Sequence, residues 1–445
     1  MTHRLDRRQL LSALGKAAAG PLLGSALLGG ALWEAGCGGG NSTAPAPVGD
    51  LYPDTDDQLL EEIEKAAFLF FWEQADALTG QVKDRALAGG NDIRTVSSIA
   101  ATGFGLTALC IGDNRGYQTT ANITSRVQTT LNFLLTTMQP LGQNGFFYHF
   151  VDMSSGARVW NCEVSSIDTA ILLCGVLACR QHFSTDPLIP GLATQIYNNV
   201  NFAWMLNGGS TLSMGWTPEN GFLTSRWDTY SELMMLYLLA LASPTFPIPA
   251  ACWSAWARPS YTYQGLTYVS SGAPLFTHQY AHAWFDFRNK SDANTNYFQN
   301  SVSATMAHRL FCLSLATQFS DYSDDLWGIT SSDSKNGYVA WGGPPAMGPI
   351  DGTIVPCATV GSVPFLAPQT IHVLRWIRGH YPAAWQRYGY VDAFNPLNSW
   401  YNPDVIGIDA GISMLMAENY RTQFVWNTFM KDLAATGGMA LAGFH

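Results

Sequence analysis

The sequence predicts an all-α protein built as a barrel of paired helices, with long aromatic loops at the end that would carry a cleft. Two observations predict it. Apolar residues recur at helical spacing in one stretch after another, and Gly/Pro/Asn/Asp-rich segments separate those stretches. Strand patterns are few and short, and no break in composition marks a second domain. We place helices at 59–72, 95–111, 121–138, 163–183, 190–206, 228–243, 300–319, 367–379, 410–420 and 422–435.

The strand signals are confined to two short segments. Gly145–Val151 and Leu266–Val269 combine aromatic and β-branched residues over the length of a typical strand. We therefore expect short β-hairpins at the cleft end rather than a sheet. No sequence repeat is detected, so the prediction of a barrel depends on the number of helices.

Composition excludes several classes of function. Hydrophobic residues make up 47% of the 445 residues and charged residues only 13%, which is enough for a large core and too apolar for a disordered chain. The formal net charge of −10 disfavours nucleic acid and anionic membrane surfaces as partners. The 15 Trp and 18 Tyr suit a groove that stacks on sugar rings, although most such rings are ordinary core residues.

The amino terminus reads as an export signal. Arg7 and Arg8 open a twin-arginine-like segment, and a Gly/Ala-rich apolar stretch follows from Ala13 to Leu32. Ala35 and Gly36 before Cys37 resemble the end of a bacterial lipoprotein signal, which makes Cys37 a candidate for lipidation, with simple cleavage and release as the alternative. We divide the chain into a signal at 1–36, a flexible tether at 37–57 and one domain at 58–445.

The cysteines indicate neither a metal site nor a full disulfide set. If Cys37 is lipidated, seven of the 8 cysteines remain, so at least one thiol is unpaired. No Cys-x-x-Cys pair accompanies histidines in the manner of a zinc site, and we expect no cofactor. Four of the cysteines lie inside apolar stretches and read as small core residues: Cys110, Cys174, Cys179 and Cys312.

A series of long motifs in a fixed order resembles a known family. They include Ser98–Leu106, Glu163–Leu173, Trp227–Glu232, His278–Arg288 and Gly407–Arg421, with Phe70–Arg85, Trp327–Thr330, Asp351–Thr353 and Tyr388–Asn395 between them. Together they resemble the glycoamylase-like family of bacterial proteins, which includes the endo-β-1,2-glucanases of glycoside hydrolase family 144. The resemblance spans roughly residues 58–440. It implies an (α/α)6 barrel, export, and attack on β-1,2-linked glucan.

Glycoside hydrolysis needs one carboxylic acid to protonate the leaving oxygen and a second carboxyl group on the other side of the sugar ring. Glu232 precedes a strongly apolar stretch, which favours a protonated acid, although a helix N-terminus would favour the ionised form. The resemblance matches Glu232 to the general acid and places Asp409 in a cleft motif. We predict Glu232 as the acid and Asp409 on the base side of an inverting reaction.

Glu163 and Asp168 form a second acidic pair. They are five residues apart in a predicted helix, a separation of 500° that does not bring both to one face unless Glu163 precedes the first turn. In that case Glu163 points into the cleft as a third catalytic candidate, and Asp168 organises it. The alternative is a pair of satisfied polar groups at a helix start.

A polar block among aromatics is the candidate for sugar binding. His278 and His282 are spaced i,i+4, which would place them on one helical face; no Glu follows in a zinc-binding pattern, so hydrogen bonding to sugar is favoured over metal. Glu418 to Arg421 reads as a helix-packing ion network. The full set of predicted substrate-binding residues is Asp168, Arg85, Trp227, Tyr230, His278, Gln279, His282, Asp286 and Arg288, and the candidate stacking platforms are Trp160, Trp216, Trp227, Trp327 and Trp341.

The sequence therefore predicts an exported, monomeric glycoside hydrolase in the periplasm, on a lipid anchor or secreted, that acts on glucan oligo- or polysaccharide. The same scaffold acting on another glucan linkage, or transferring glucose instead of hydrolysing, is one alternative. A lipid-tethered glycan-binding protein without activity is another, but its carboxylates would not need to be intact. A polysaccharide lyase needs a basic cleft, which an acidic chain with 23 Lys and Arg does not favour.

Overall fold

The structure is a computed structural model that describes residues 51–346 and 348–445. The predicted export signal, Cys37 and most of the predicted tether lie outside the described residues. The principal helices are α1 (Asp56–Glu73), α2 (Ile99–Arg115), α3 (Thr120–Phe133), α4 (Ser166–His182), α5 (Ile189–Asn198), α6 (Met234–Leu241), α7 (Tyr297–Ser314), α8 (Pro356–Val360), α9 (Val363–His380), α10 (Gly407–Arg421), α11 (Phe424–Phe429) and α12 (Leu433–Leu441).

Shorter helical segments fill the connections. A π-helical turn, Leu134–Met138, extends α3, and two consecutive 3-10 turns cover Leu275–His278 and Tyr280–Ala283. Short helices and turns also occur at Gln139–Leu141, Phe202–Met205, Cys252–Ala255, Pro382–Ala384 and Pro396–Asn398.

The strands are short and pair mainly into hairpins. They are β1 (Arg85–Leu87), β2 (Val96–Ser98), β3 (Phe150–Asp152), β4 (Val164–Ser165), β5 (Gly215–Thr217), β6 (Gly221–Phe222), β7 (Ser260–Tyr263), β8 (Leu266–Val269), β9 (Ser331–Ser334), β10 (Gly337–Ala340), β11 (Trp385–Gln386), β12 (Gly389–Tyr390), β13 (Phe394–Asn395), β14 (Trp400–Tyr401) and β15 (Asp404–Ile406). All the pairings are antiparallel: β1 with β15, β2 with β3, β4 with β5 and β6, and four hairpins of consecutive strands.

The architecture is an (α/α)6 barrel, as the sequence predicts. Within the described residues, the inner ring consists of α2, α4, α6, the two 3-10 turns at 275–283, α8 and α10. Neighbours in this ring pack directly, α6 on α4, α4 on α2, α2 on α10, and α10 on α8. Helices α1, α3, α5, α7 and α9 lie outside it, and α12 packs on α6.

The inner helices run in the same direction, and that direction positions the candidate site. The strands β2, β4 and β15 lead directly into the amino ends of α2, α4 and α10. The carboxyl ends of the same helices meet at the far end, where Arg115 bonds Glu418 and His182 bonds Asp113. The amino ends and the hairpins therefore form one mouth of the barrel, and we call the other end the closed end.

Close packing between α2 and α4 depends on glycine. A Cβ on Gly103 would lie 2.5 Å from the carbonyl oxygen of Ile171, and one on Gly175 would lie 2.1 Å from that of Gly103. The two backbones can approach only because neither residue has a side chain. This contact fixes the relative position of two amino ends that carry site residues.

Most predicted helices have a counterpart in the structure with shifted boundaries, but the predictions at 190–206 and 422–435 each cover two separate helices. Leu266–Val269 is a strand, as predicted, but within 145–151 only Phe150 and Val151 belong to one. The predicted helix at 163–183 begins at Ser166, because Val164–Ser165 pairs with β5 first. The two 3-10 turns at 275–283 and helix α8 have no counterpart in the prediction.

The core confirms the reading of the cysteines. Cys110, Cys174, Cys179 and Cys312 are buried free thiols. A search of the described residues found no helix that combines the length and apolarity needed to cross a membrane.

Candidate active site

A histidine holds two of the predicted acids together at the mouth. His149 Nδ1 lies 3.1 Å from Glu163 Oε1, and His149 Nε2 lies 3.6 Å from Asp168 Oδ2. All three side chains are buried, and their ligand atoms lie within 4.8 Å of one another. The imidazole thus separates two carboxyl groups that would otherwise repel each other. We call this group the His149 clamp.

The local chain path explains why Glu163 and Asp168 meet. Glu163 lies before β4, so it precedes the first turn of α4, the one arrangement that the sequence allowed for a shared site. Ser165 caps α4, accepting from the Asp168 amide at 3.0 Å and donating to the Asp168 carboxyl. Gly215 on the paired strand makes room, since a Cβ there would lie 2.7 Å from Glu163 Cγ.

Asp409 lies in the first turn of α10 and shares a hydrogen bond with a second buried carboxyl group, that of Asp392. Asp392 Oδ2 also accepts from the amide of Asp333 at 2.8 Å and from Asn402 Nδ2 at 2.9 Å. Burial, reinforced by the charges of Asp409 and Asp333, raises the pKa of Asp392 well above its usual range. The two carboxyl groups therefore share one proton in the bond between them.

The Asp392–Asp409 pair borders a small cavity. Its volume is ≈ 30 Å³, and its lining includes Tyr388, Tyr390, Cys357 and Ser413 in addition to the two aspartates. A space of this size accommodates a water molecule next to polar groups. The surroundings are therefore suited to holding water beside a carboxyl group.

Arg85 is placed at the mouth, but its guanidinium is already engaged. Arg85 Nε donates to Asp84 at 2.9 Å and Nη1 donates to Asp333 at 2.5 Å. These two acids raise the pKa of Arg85 above its usual value despite burial. Arg85 thus neutralises Asp333, the acid next to Asp392, and holds β1 against β9.

Glu232 lies in the turn before α6, with an exposed fraction of 1%. The sequence predicted Glu232 at the start of a helix. In the structure α6 begins at Met234, and Leu233 is its N-cap residue. The residues that follow, Met234 to Leu241, are all buried, so the turn leads directly into an apolar helix. Because α6 adjoins α4 in the inner ring, Glu232 precedes the helix next to the one that carries Asp168.

Five of the predicted substrate-binding side chains belong to the core. Trp227 donates to Ser166 Oγ at 2.9 Å, Tyr230 OH lies 3.0 Å from His278 Nδ1, and Gln279 donates to Ala358 O at 2.9 Å and Ser362 Oγ at 2.7 Å. His282 Nε2 lies 3.0 Å from Ser301 Oγ. These five side chains are at most 3% exposed and hydrogen-bond within the core, so direct contact between them and sugar stays a prediction.

The histidines also differ from the predicted helical face. His278 and His282 lie in two separate 3-10 turns, where residues four apart point in different directions. Burial lowers the pKa of each to about 3, as it does for His308 nearby. They are neutral core histidines.

Asp286 and Arg288 lie at the closed end, away from the mouth. Arg288 pairs with Asp286 through two bonds of 2.9 Å, stacks over Trp426 at 4.1 Å and donates to Gln423. Gln423 follows the carboxyl end of α10. Placing these two residues in the sugar site was therefore wrong.

The five tryptophans predicted as stacking platforms differ in solvent exposure. Trp227, Trp327 and Trp341 are buried, and Trp216 is half-buried against Trp204 at 6.0 Å. Trp160, three residues before Glu163, is 68% exposed. It is the one exposed tryptophan among the described residues.

The His149 clamp is also the one His/Cys/Asp/Glu cluster in the described residues with spacing that could hold a metal ion. Both ring nitrogens of His149 face carboxyl groups, however, and Asp168 is engaged by Ser165. A metal ion would have to displace these bonds, so the arrangement favours a hydrogen-bonded unit.

Sequence reasoning missed two residues of this mouth. His149 was read only as part of a strand signal, and Asp392 only as part of a motif. An alternating aromatic segment gives no sign of which acid its histidine will face. The signal for Asp392 was stronger, since it is an acid between apolar residues, Val391 and Ala393, and such an acid needs a partner.

The fold and these buried carboxyl groups define a helical barrel with the features of a glycoside hydrolase. Residues 224–432 match the model of the Glycoamylase family, described as "Putative glucoamylase". The predicted resemblance to this family is thereby confirmed, and the matched region includes Glu232, Asp392 and Asp409.

Individual relatives extend the comparison to most of the chain. An exo β-1,2-glucooligosaccharide sophorohydrolase (non-reducing end) of Parabacteroides distasonis is 28% identical across 85% of this chain. The chain spans 57% of the length of that relative. An endo-β-1,2-glucanase of Chitinophaga pinensis, solved with sophorotriose and glucose, superposes with a TM-score of 0.81 at 26% identity, covering 88% of this chain and 99% of the other. A "putative glucoamylase" of Bacteroides uniformis gives a TM-score of 0.82 at 26% identity, over 88% and 98%.

Proposed function

We propose that the protein hydrolyses β-1,2-linked glucan by cutting within the chain, with inversion at the anomeric carbon. One observation carries the proposal: buried carboxyl groups gather at the amino ends of adjoining inner helices at one mouth of the barrel. Glycoside hydrolysis needs such a set of carboxyl groups. The similarity to two hydrolases of β-1,2-linked glucan supports the choice of linkage.

In this proposal Glu232 is the general acid. Its carboxyl donates a proton to the glycosidic oxygen as the bond to the anomeric carbon breaks, and the leaving sugar departs as an alcohol. The apolar setting before α6 favours the protonated acid in the resting state. Glu232 is left as a carboxylate and is reprotonated from solvent after product release.

Asp409 acts on the base side. A water molecule attacks the anomeric carbon from the face opposite the leaving group, and its proton passes to Asp409 directly or through a sugar hydroxyl. In this proposal the shared proton resides on Asp392 and keeps Asp409 ionised and therefore able to accept. The His149 clamp fixes Glu163 and Asp168 as acceptors for sugar hydroxyl groups.

Release of disaccharide from a chain end is the second candidate. The curated relative is an exo-acting sophorohydrolase, whereas the structural relative from Chitinophaga pinensis is an endo-acting glucanase. Time-resolved product chromatography distinguishes them. An endo enzyme first yields a ladder of oligosaccharides, and an exo enzyme yields sophorose from the first minutes.

The export signal and Cys37 place this activity outside the cytoplasm in our proposal. The protein would act as a monomer in the periplasm, on a lipid anchor at Cys37, or in free secreted form. Labelling of cells with a radioactive fatty acid, compared between the natural chain and Cys37→Ala, tests the anchor.

The decisive experiment is a reducing-end assay on the chain from Asp50, with β-1,2-, β-1,3- and β-1,4-glucan and starch as substrates. We expect turnover of β-1,2-glucan alone, and a loss of about 10³-fold in Glu232→Gln. Proton NMR of the first product should show the α-anomer, the signature of inversion. Turnover of another polymer, or longer products formed by transfer, would overturn the proposed reaction. Binding without turnover would favour a glycan-binding protein.

A further inference from the structure

The loop that carries Trp160 combines two unusual features beside the His149 clamp. Trp160 is 68% exposed, a state that a large aromatic side chain seldom adopts without a partner. Trp160 and the next residue, Asn161, both have a left-handed backbone, with φ of 55° and 52°. A bulky residue in that conformation is an outlier, and outliers of this kind occur at functional sites.

This exposed indole is held in place. Arg158 donates to the carbonyl oxygens of Asn161 and Cys162 at 2.7 and 2.5 Å, and pairs with Glu219 at 2.6 Å. The amide of Val159 donates to Phe150 O at 3.1 Å, which joins the loop to β3. The left-handed turn is therefore built into the fold, and the indole is preorganised in solvent.

A series of ring contacts connects the indole to the site. The Trp160 and Phe150 ring centroids are 5.2 Å apart, and the Phe150 and His149 centroids are 3.8 Å apart with nearly parallel planes. His149 in turn contacts Glu163. The indole thus lies two short steps from the carboxyl groups at the mouth, within the span of a few sugar units.

We propose that Trp160 is the stacking platform of a glucosyl-binding subsite that holds the glucan chain beside the His149 clamp. An indole face matches the apolar C–H face of a pyranose ring, and the hydroxyl groups at the ring edge remain free for polar partners. Rigid presentation reduces the entropy lost on binding, which explains the fixed loop. This inference rests on the proposed function for the identity of the sugar.

The test measures binding separately from turnover. A linear β-1,2-linked glucose pentasaccharide is titrated by calorimetry into Glu232→Gln and into the same protein carrying Trp160→Ala or Trp160→Phe. We expect Trp160→Ala to raise the Kd about tenfold, and Trp160→Phe to recover part of the loss because it keeps a ring. The indole is exposed, so both variants should fold, which thermal melting checks.

The matched control is Tyr420→Ala, an aromatic side chain 44% exposed near the carboxyl end of α10, at the closed end. It should leave the Kd unchanged. In the active protein Trp160→Ala should raise KM about tenfold with kcat unaltered, since the platform binds substrate and transition state alike. Equal Kd values for Trp160→Ala and its parent would overturn the subsite even in an active hydrolase. If no polymer is hydrolysed but Trp160→Ala still weakens binding, the subsite stands and the proposed reaction fails.

Discussion

The two ends of the barrel both bury several acids, but they neutralise them differently. At the closed end, Arg115 bonds Glu418 at 2.6 Å, and Arg421 bonds Glu64 at 2.7 Å and Glu61 at 2.5 Å. At the mouth, the acids face a histidine, one another and the amino ends of inner helices. The predicted reading of Glu418 to Arg421 as a packing network agrees with these contacts.

Helix direction explains the difference. Partial positive charge at the amino end of a helix stabilises anions, and partial negative charge at the carboxyl end stabilises cations. The arginines of the last turns therefore bond acids at the closed end, Arg115 to Glu418 of α10 and Arg421 to acids of α1. At the mouth, Asp168 and Asp409 lie in the first turns of α4 and α10, where the helix backbone favours a negative charge.

The largest expected effect is a difference in kcat between variants of two buried glutamates, one from each end of the barrel. Glu232→Gln should lower kcat by about 10³-fold, because general acid catalysis is lost, with little change in stability. Glu418→Gln should leave kcat near its original value and lower the free energy of unfolding by about 3 kcal/mol, because Arg115 loses its buried partner. Kinetics and urea unfolding on both variants check this. Equal kinetic losses in the two variants would show that the ends do not differ in function.

The second prediction concerns the Asp392–Asp409 pair. Its two carboxyl groups share a proton, whereas the acids of the closed end bond to arginines. Asp392→Asn keeps a donor towards Asp409 and an acceptor for Asp333, so kcat/KM should stay within a fewfold of the original. Asp392→Ala should lower it roughly 10- to 100-fold, the cost of one hydrogen bond to a charged group. A loss of the same size in both variants would mean that the proton on Asp392 is not what matters.

Removing the imidazole of the clamp should have a smaller effect. His149→Ala should lower kcat/KM about tenfold, because Glu163 loses a hydrogen-bond partner. His149→Gln retains one donor and should recover part of the activity with a similar melting temperature. Recovery of stability without recovery of activity would assign His149 a packing role only.

The effect expected to leave activity unchanged is a pH dependence of stability that originates at the closed end. Burial, with the charge of Glu418, outweighs Arg421 and Arg115 and raises the pKa of Glu64 from 4.5 to about 9. The folded chain keeps this proton where the unfolded chain loses it, so this contribution to stability is complete below pH 4.5 and is lost as the pH rises towards 9.

Glu64→Gln replaces the titrating carboxyl group with an amide that does not titrate. The variant should gain stability relative to the parent between pH 5 and pH 9, by urea unfolding at each pH, while kcat stays unchanged. A constant difference across this pH range would show that Glu64 is ionised in the folded protein.

Much of the fold followed from sequence, and much of the site did not. The helical segments were predicted because apolar spacing is a local property, and the (α/α)6 arrangement because ordered motifs carried the resemblance. The inner segment at 275–283 was missed because its 3-10 turns lack the period of an α-helix. The structure places His278 and Gln279 in a hydrogen-bonded core, which the sequence could not decide because polar residues among aromatics suit a binding cleft and such a core equally well.

The sequence by itself determined which acids lie in apolar surroundings, among them Glu163, Glu232 and Asp409, because hydropathy is read residue by residue. The tertiary structure alone decided which groups face each acid. His149 and Asp168 meet across a strand pairing, and Asp392 reaches Asp409 from a different loop. The charge and proton state of a buried carboxyl group depend on such neighbours, and they are brought together only when the barrel closes.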